Sequence, residues 1–406
     1  MNDAFRKQFP VLNRLHNKRP LAFLDGPAGT QVPTQVIEAI SEYYRHSNAN
    51  THGAFVTTRE TDAMMEATRH KLSVLLGAEG AHTISLGQNM TSLNYALSKA
   101  IGRALHAGDE ILITQLDHES NRAPWLALRE RGIVVREVAI RADATLDYAD
   151  LASKINERTR LVAMGYASNL SGAVNDVALA RQLSHRVGAW LLVDAVHYTP
   201  HFLPDVQQLG CDFLLCSAYK FYGPHVGILY ARPGLLDRLQ PDRLRTAYQH
   251  APYSIETGTL NHAAMAGTGA AVDFMAGIGR GATLRAQLLS AFRKIGQHER
   301  QMLELLYEGL SKVKGLSIIG PSLDTPLRAP TLSMTVPGKR ASEVCRLLAE
   351  RNVCAWDGHF YAIRATEVLG ILESGGVTRM GISAYTNKAD IAAAVSAMED
   401  IAGKGT

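Results

Sequence analysis

Cysteine is scarce in this chain: 406 residues hold four, at Cys211, Cys216, Cys345 and Cys354. They are too few and too scattered for a disulfide framework, and no CxxC pair offers a zinc knuckle. Long apolar runs are missing as well. No stretch reaches the ~18 consecutive apolar residues of a membrane helix. The opening segment, MNDAFRKQFPVLNRLHNKRP, is polar and basic and holds no apolar run of signal-peptide type. These absences lead us to expect a cytoplasmic protein with reduced thiols, no metal site and no membrane partner. Charge of one sign is also lacking: 42 Lys and Arg against 38 Asp and Glu leave +4. On so long a chain that makes no basic stripe, which argues against nucleic acid as a partner. Low-complexity tracts and internal repeats are absent too.

What is present is ordinary globular material, 46% hydrophobic and 20% charged, enough for a sizeable core. Domains usually run ~100–200 residues, so this length predicts two. Short apolar runs recur at Ile111–Thr114, Gly132–Val138, Arg160–Met164, Ala189–Asp194, Phe213–Cys216 and Val226–Tyr230. Continuous runs of this kind fit strands buried on both faces. Helix-period stretches lie between several of them, at Asn121–Arg131, Asp147–Asn156 and Val177–Val187. The alternation predicts an α/β fold with a mainly parallel sheet flanked by helices. The Gly/Ala-rich zone Thr257–Gly281 reads as a helical connection, and Leu284–Lys314 as a long helix. A smaller α/β section follows: Leu316–Ile319, Thr331–Val336, Ala341–Arg351, Val353–Trp356, Val377–Ser383 and Ala389–Met398. The expected division is a large domain over residues 21–283 and a smaller one built from 1–20 and 284–406.

Ligands of such sheets sit beyond the carboxyl ends of the strands. After Phe213–Cys216 comes SAYKFYGP, residues 217–224. A lysine there, flanked by apolar and aromatic residues, is desolvated, which lowers its pKa and frees a nucleophilic amine. A Schiff-base lysine requires this, although a surface loop lysine would look the same in isolation. Asp194 ends another strand, where a carboxylate can pair with a pyridinium nitrogen and keep it protonated, or can simply cap a helix. GQNMTS, residues 87–92, lies between the predicted strand Ala81–Leu86 and the helical stretch Leu93–Ala104. A helix start of this type binds phosphate through its free N–H groups, as any capped helix could. DHESN, residues 117–121, puts His118 after Ile111–Thr114, where it could stack on a flat ring or serve as a structural histidine.

The signals occur in one order: phosphate-type turn, His118, Asn169, Asp194, Lys220. In this the sequence resembles the class V aminotransferase group of fold-type I pyridoxal 5′-phosphate (PLP) enzymes, and more closely the cysteine desulfurases and selenocysteine lyases. The likeness runs from FLDGPAG, residues 23–29, to RMGIS, residues 379–383. It implies that Lys220 bonds PLP, that Asp194 partners the pyridine nitrogen and that His118 stacks on the ring. It implies that Asn169 and His197 lie near the ring oxygen, His197 standing where many desulfurases have glutamine. Asn89, Met90, Thr91 and Ser217 fall on the phosphate turn, and Tyr219 replaces the usual histidine before the lysine. ETGTLN, residues 256–261, resembles the E-x-G-T-x-N segment whose threonine, here Thr259, reaches the phosphate of the neighbouring subunit. A homodimer follows from that. Arg379 matches the arginine for the substrate α-carboxylate, and a guanidinium fork suits that group. Asn169, Ala28 of the N-terminal loop and His52 are expected around the substrate.

One departure bears on the reaction. Desulfurases carry sulfur on a loop cysteine, and the corresponding run here is VCAWDGHFYA, residues 353–362. Tyr361 occupies the cysteine position, and Cys354 lies seven residues earlier in an apolar strand. The reading preferred on this ground is a lyase that eliminates a leaving group from Cβ of a cysteine-like amino acid. Aminoacrylate would then hydrolyse to pyruvate and ammonia. Tyr361 and His359 become candidates for substrate contact or proton transfer, or simply shape the pocket. Transamination or epimerisation, desulfuration with an atypical thiol such as Cys354, and a non-catalytic PLP-binding regulatory protein are the alternatives.

Overall fold

The computed structural model describes residues 1–403. Seven strands form the large sheet: β1 (Ile84–Gly87), β2 (Glu110–Thr114), β3 (Val134–Val138), β4 (Thr159–Gly165), β5 (Trp190–Asp194), β6 (Phe213–Ser217) and β7 (Gly227–Ala231). Their spatial order is β1-β7-β6-β5-β4-β2-β3, and only β7 runs against the others. Side chains alternate across the pleat. Leu112, Leu191, Val193, Leu214 and Ile228 enter one core. Ile111, Ile113, Leu192, Phe213, Leu215 and Leu229 enter the core on the opposite face. Both faces are covered, which is why the strands read as unbroken apolar runs. The carboxyl ends of all strands but β7 therefore share one edge.

A second sheet holds β8 (Ser317–Ile319), β9 (Thr331–Thr335), β10 (Trp356–Gly358) and β11 (Val377–Gly381), in the order β8-β9-β11-β10 and antiparallel throughout. Its core joins Leu332, Met334, Met380 and Ile382 to Leu303, Leu306 and Leu310 of the helix Leu284–Ser311. Ala22 and Leu24 belong to this smaller core. Phe5 and Phe9 instead pack against Phe274 and thus join the large core.

Several elements differ from the sequence expectation. The run Val353–Trp356 splits: Val353–Cys354 pairs in parallel with Ala22–Phe23, while Trp356 begins β10. The expected helix Asn121–Arg131 is a chain of short turns, with Pro124 in the first turn of Ala123–Leu126. Two helices are not among those expected from the sequence, the amphipathic α1 (Thr34–Glu42) and α2 (Val56–Leu76), whose apolar stripe is weak. The buried face of α2 includes Thr58, Thr61, Thr68 and Arg69, and it packs on the Gly/Ala-rich helix α3 (His262–Ile278). A Cβ on Gly267 of α3 would meet the Ile40 side chain of α1 at 2.8 Å. Small residues and close approach replace the usual apolar stripe there. No helix among the described residues is long and apolar enough to cross a membrane, and none of their His, Cys, Asp and Glu side chains cluster as a metal site.

Candidate active site

A cavity of about 500 Å³ opens where the parallel strands end. Asn89–Thr91, Asp117–His118, Asn169, Asp194, His197, Ser217 and Tyr219–Lys220 line it from the large sheet. Ala28, residues 356–361 and Arg379 line it from the other side. Of the residues singled out from the sequence, Thr259 and His52 are not in this lining. Thr259 is exposed. His52 is also exposed, and its backbone N–H donates to Asp62 3.1 Å away.

Lys220 is buried, and its amine donates to the Pro27 carbonyl. Burial lowers its pKa to about 7. The Arg379 cation lowers it too, and Asp194 partly offsets both. Asp194 accepts from the Val196 N–H at 3.0 Å, and burial raises its carboxyl to about 6. The pair thus offers a nucleophilic amine and a largely ionised carboxylate near neutral pH. His118 accepts from the Ser120 N–H through Nδ1 at 3.0 Å. Burial lowers its pKa to about 4, so the ring is neutral and carries its proton on Nε2. Asp117 opens the DHESN run. Burial raises it to about 7, and it ties the loop to the sheet by accepting from Gly165 N–H at 2.6 Å.

Within the cavity lining, two buried polar atoms lack partners among the described residues, His197 Nδ1 and Arg379 Nε. His197 Nε2 lies 3.0 Å from the Thr331 hydroxyl of β9. The hydroxyl can donate to Nε2, which leaves an N–H at Nδ1 for an anionic oxygen. Arg379 donates to the Asn169 carbonyl at 2.9 Å and lies against the Phe360 ring, 3.7 Å from its centroid. Burial lowers its pKa to about 9, so it remains cationic. A buried guanidinium hydrogen-bonded to one carbonyl, stacked on a ring and in no direct ion pair is a receptor for a carboxylate.

At the opposite end, Asn89 caps the helix Met90–Ala104 by accepting from Ser92 N–H at 2.9 Å, and Met90 N–H donates to Ser217 Oγ at 3.1 Å. Nothing in the sequence drew attention to Gly227. A Cβ there would sit 2.3 Å from the Asn89 carbonyl carbon. Gly227→Ala is expected to push this turn outward at a cost of about 1–3 kcal/mol. Thermal denaturation and retention of bound PLP would both report it, and an unchanged Tm would contradict it. Glu256 is a second residue that sequence reading left unassigned. Its carboxylate takes Arg69 at 2.6 Å and Leu86 N–H at 2.7 Å, which pins the segment ahead of exposed Thr259 to the edge of the sheet.

The four cysteines lie elsewhere. None lines the cavity. Burial pushes the thiols of Cys216 and Cys345 up to about 12 and that of Cys354 up to about 11, and it raises Cys211 as well.

Comparison with known proteins gives one answer. The model of the family described as "Aminotransferase class-V" matches residues 22–393. A cysteine desulfurase of Pectobacterium carotovorum is 30% identical over 415 residues, covering 98% of this chain and 97% of its own. One from Enterobacter sp. is 32% identical over 377 residues, with 89% of each chain covered. The crystal structure of an Escherichia coli cysteine desulfurase superposes with a TM-score of 0.86 at 28% identity, over 100% of this chain and 99% of that one. The mixed sheet and its flanking helices are the architecture of these fold-type I proteins. The chain belongs to the class-V aminotransferase family, as a cysteine desulfurase-like, PLP-dependent enzyme.

Proposed function

We propose that this enzyme binds PLP through Lys220 and eliminates a leaving group from Cβ of a cysteine-like amino acid, with no thiol of its own in the reaction. The observation that carries the reading is the make-up of the cavity. It gathers an amine, a carboxylate, a neutral imidazole and an unpaired guanidinium, while none of the four cysteines lines it. The orphaned His197 Nδ1 and Arg379 Nε support the fit, because PLP and an amino acid bring an anionic ring oxygen and a carboxylate. Bound PLP supplies an electron sink for the pair left at Cα.

The chain's own groups do the rest. Arg379 holds the α-carboxylate, and Asn169 stands beside it. Asp194 would keep a proton on the pyridine nitrogen, and His118 would stack on the ring. Asn89, Met90, Thr91, Ser217 and Tyr219 would hold the phosphate. Lys220 takes the proton from Cα. His359 or Tyr361 returns a proton to the leaving group. The net reaction for R–S–CH2–CH(NH3⁺)–COO⁻ consumes one water and yields R–SH, pyruvate and ammonium. We further propose a cytoplasmic homodimer in which exposed Thr259 completes the neighbouring phosphate site, each chain divided into a large domain, 21–283, and a smaller one from 1–20 and 284–406.

A panel of amino acids tests the reaction. Pyruvate from S-substituted cysteines is the expected product. Stoichiometric conversion of PLP to its amine form would mean transamination, and racemised substrate would mean epimerisation. A purified protein that takes up no PLP would overturn the reading altogether.

A further inference from the structure

We infer that the mouth of this cavity selects an amino acid whose β-substituent ends in a flat, unsaturated ring. The inference rests on the proposed amino-acid site and names its substrate class. It starts from the backbone of two adjacent residues. Phe360 and Tyr361 both have left-handed backbones, with φ of 52° and 59°. Side chains bearing a Cβ rarely adopt this region, and aromatic residues less than Asn or Asp. Strain of this kind persists where the surroundings enforce it, commonly at ligand sites.

Three hydrogen bonds enforce it here. Asn169 Nδ2 donates to the Phe360 carbonyl at 2.8 Å, Glu119 N–H donates to the Tyr361 carbonyl at 2.7 Å, and Tyr361 N–H donates to His359 Nδ1 at 3.1 Å. The result is a division of labour between neighbours. The Phe360 ring lies on the Arg379 guanidinium, 3.7 Å from ring centroid to the guanidinium carbon. The Tyr361 ring lies 5.1 Å from that of His118, remains 66% exposed and lines the cavity. Trp356 pairs directly with Arg379 across β10 and β11, so the two side chains share one face of the sheet. Trp356 is 51% exposed and lines the same cavity.

An amino acid held at Arg379 therefore projects whatever extends past Cβ toward Trp356, Tyr361 and His118. Tyr361 and Trp356 contribute little to the cores, and their faces stay wet in the free enzyme. A flat ring stacks on such faces, while a saturated ring of equal size covers the area without the quadrupole contact. The strained loop pre-sets both contacts in one step, because the residue that steadies the carboxylate receptor is bonded to the residue that meets the side chain.

The test compares S-phenyl-L-cysteine with S-cyclohexyl-L-cysteine, which match in size and differ in flatness. Calorimetric titration of the PLP-loaded enzyme should find the phenyl compound bound about fivefold more tightly. The preference should fall to near one in Tyr361→Leu and persist in Tyr361→Phe, since the ring and not the hydroxyl carries it. Trp356→Leu should weaken it too. Both side chains are half exposed or more, so these variants should keep the wild-type Tm, and a drop in Tm would itself count against a purely ligand-facing role. Equal or tighter binding of the cyclohexyl compound, or a preference unchanged in Tyr361→Leu, would overturn the inference. Release of pyruvate is read in parallel: its absence with both compounds sinks the elimination reading, while the affinity ratio still decides this one.

Discussion

Lys220→Ala is expected to lose turnover by about four orders of magnitude, the upper range for removing a positioned acid–base group, and to lose the visible absorbance of bound PLP. Lys220 sits at the end of a buried strand among apolar and aromatic neighbours, and burial has lowered its amine to about 7. The sign of its pH dependence follows. Only the neutral amine attacks a carbonyl, so PLP uptake by the apo-protein should speed up as pH rises through about 7 and level off above it. One unit below that pKa, about a tenth of the amine is neutral. Uptake should be slower there by roughly the same factor. Stopped-flow absorbance reads this directly, and a rate that is flat across pH 6 to 8 would show that the amine is not the titrating nucleophile. An ordinary exposed lysine would instead give a rate that climbs steadily up to about pH 10.

Arg379→Gln should raise KM for amino-acid substrates by about ten- to a hundredfold, as charge-assisted bonds to a buried ion are worth about 1.5–3 kcal/mol. Among the described residues the guanidinium's hydrogen-bond partner is the Asn169 carbonyl, its face lies on the Phe360 ring, and its Nε is left without a partner. The carboxylate of a substrate would satisfy it. Arg379→Lys keeps the charge but loses the planar fork, so it should recover only part of the affinity. Initial-rate kinetics distinguish the roles. A kcat loss at constant KM would show that Arg379 acts on the chemical step and not on carboxylate binding.

Much of this was legible before the fold was known. Strands β2, β4, β5, β6 and β7 announce themselves because helices cover both faces of the sheet, so nearly every position is apolar. Lys220, Asp194 and His118 were found because each follows such a run, and the cavity does bring them together. Helix α2 stayed hidden because threonines and an arginine take up much of its buried face. Arg69 and Gly227 act through contacts between segments far apart in sequence, and no local pattern marks them; Glu256 falls in the E-x-G-T-x-N run, which does not disclose its bond to Arg69. The stacking of Phe360 on Arg379 is of the same kind. His52 was expected around the substrate, yet it stands outside the cavity lining with its backbone bound to Asp62.

The products formed from L-cysteine test the central claim most directly. Elimination without a protein thiol should give pyruvate, sulfide and ammonium in equal amounts, seen by NMR and unchanged in Cys354→Ser. Cys354 supports the claim because its thiol lies outside the cavity lining and burial pushes it up to about 11. Alanine together with a persulfide on the protein, both lost in Cys354→Ser, would contradict it.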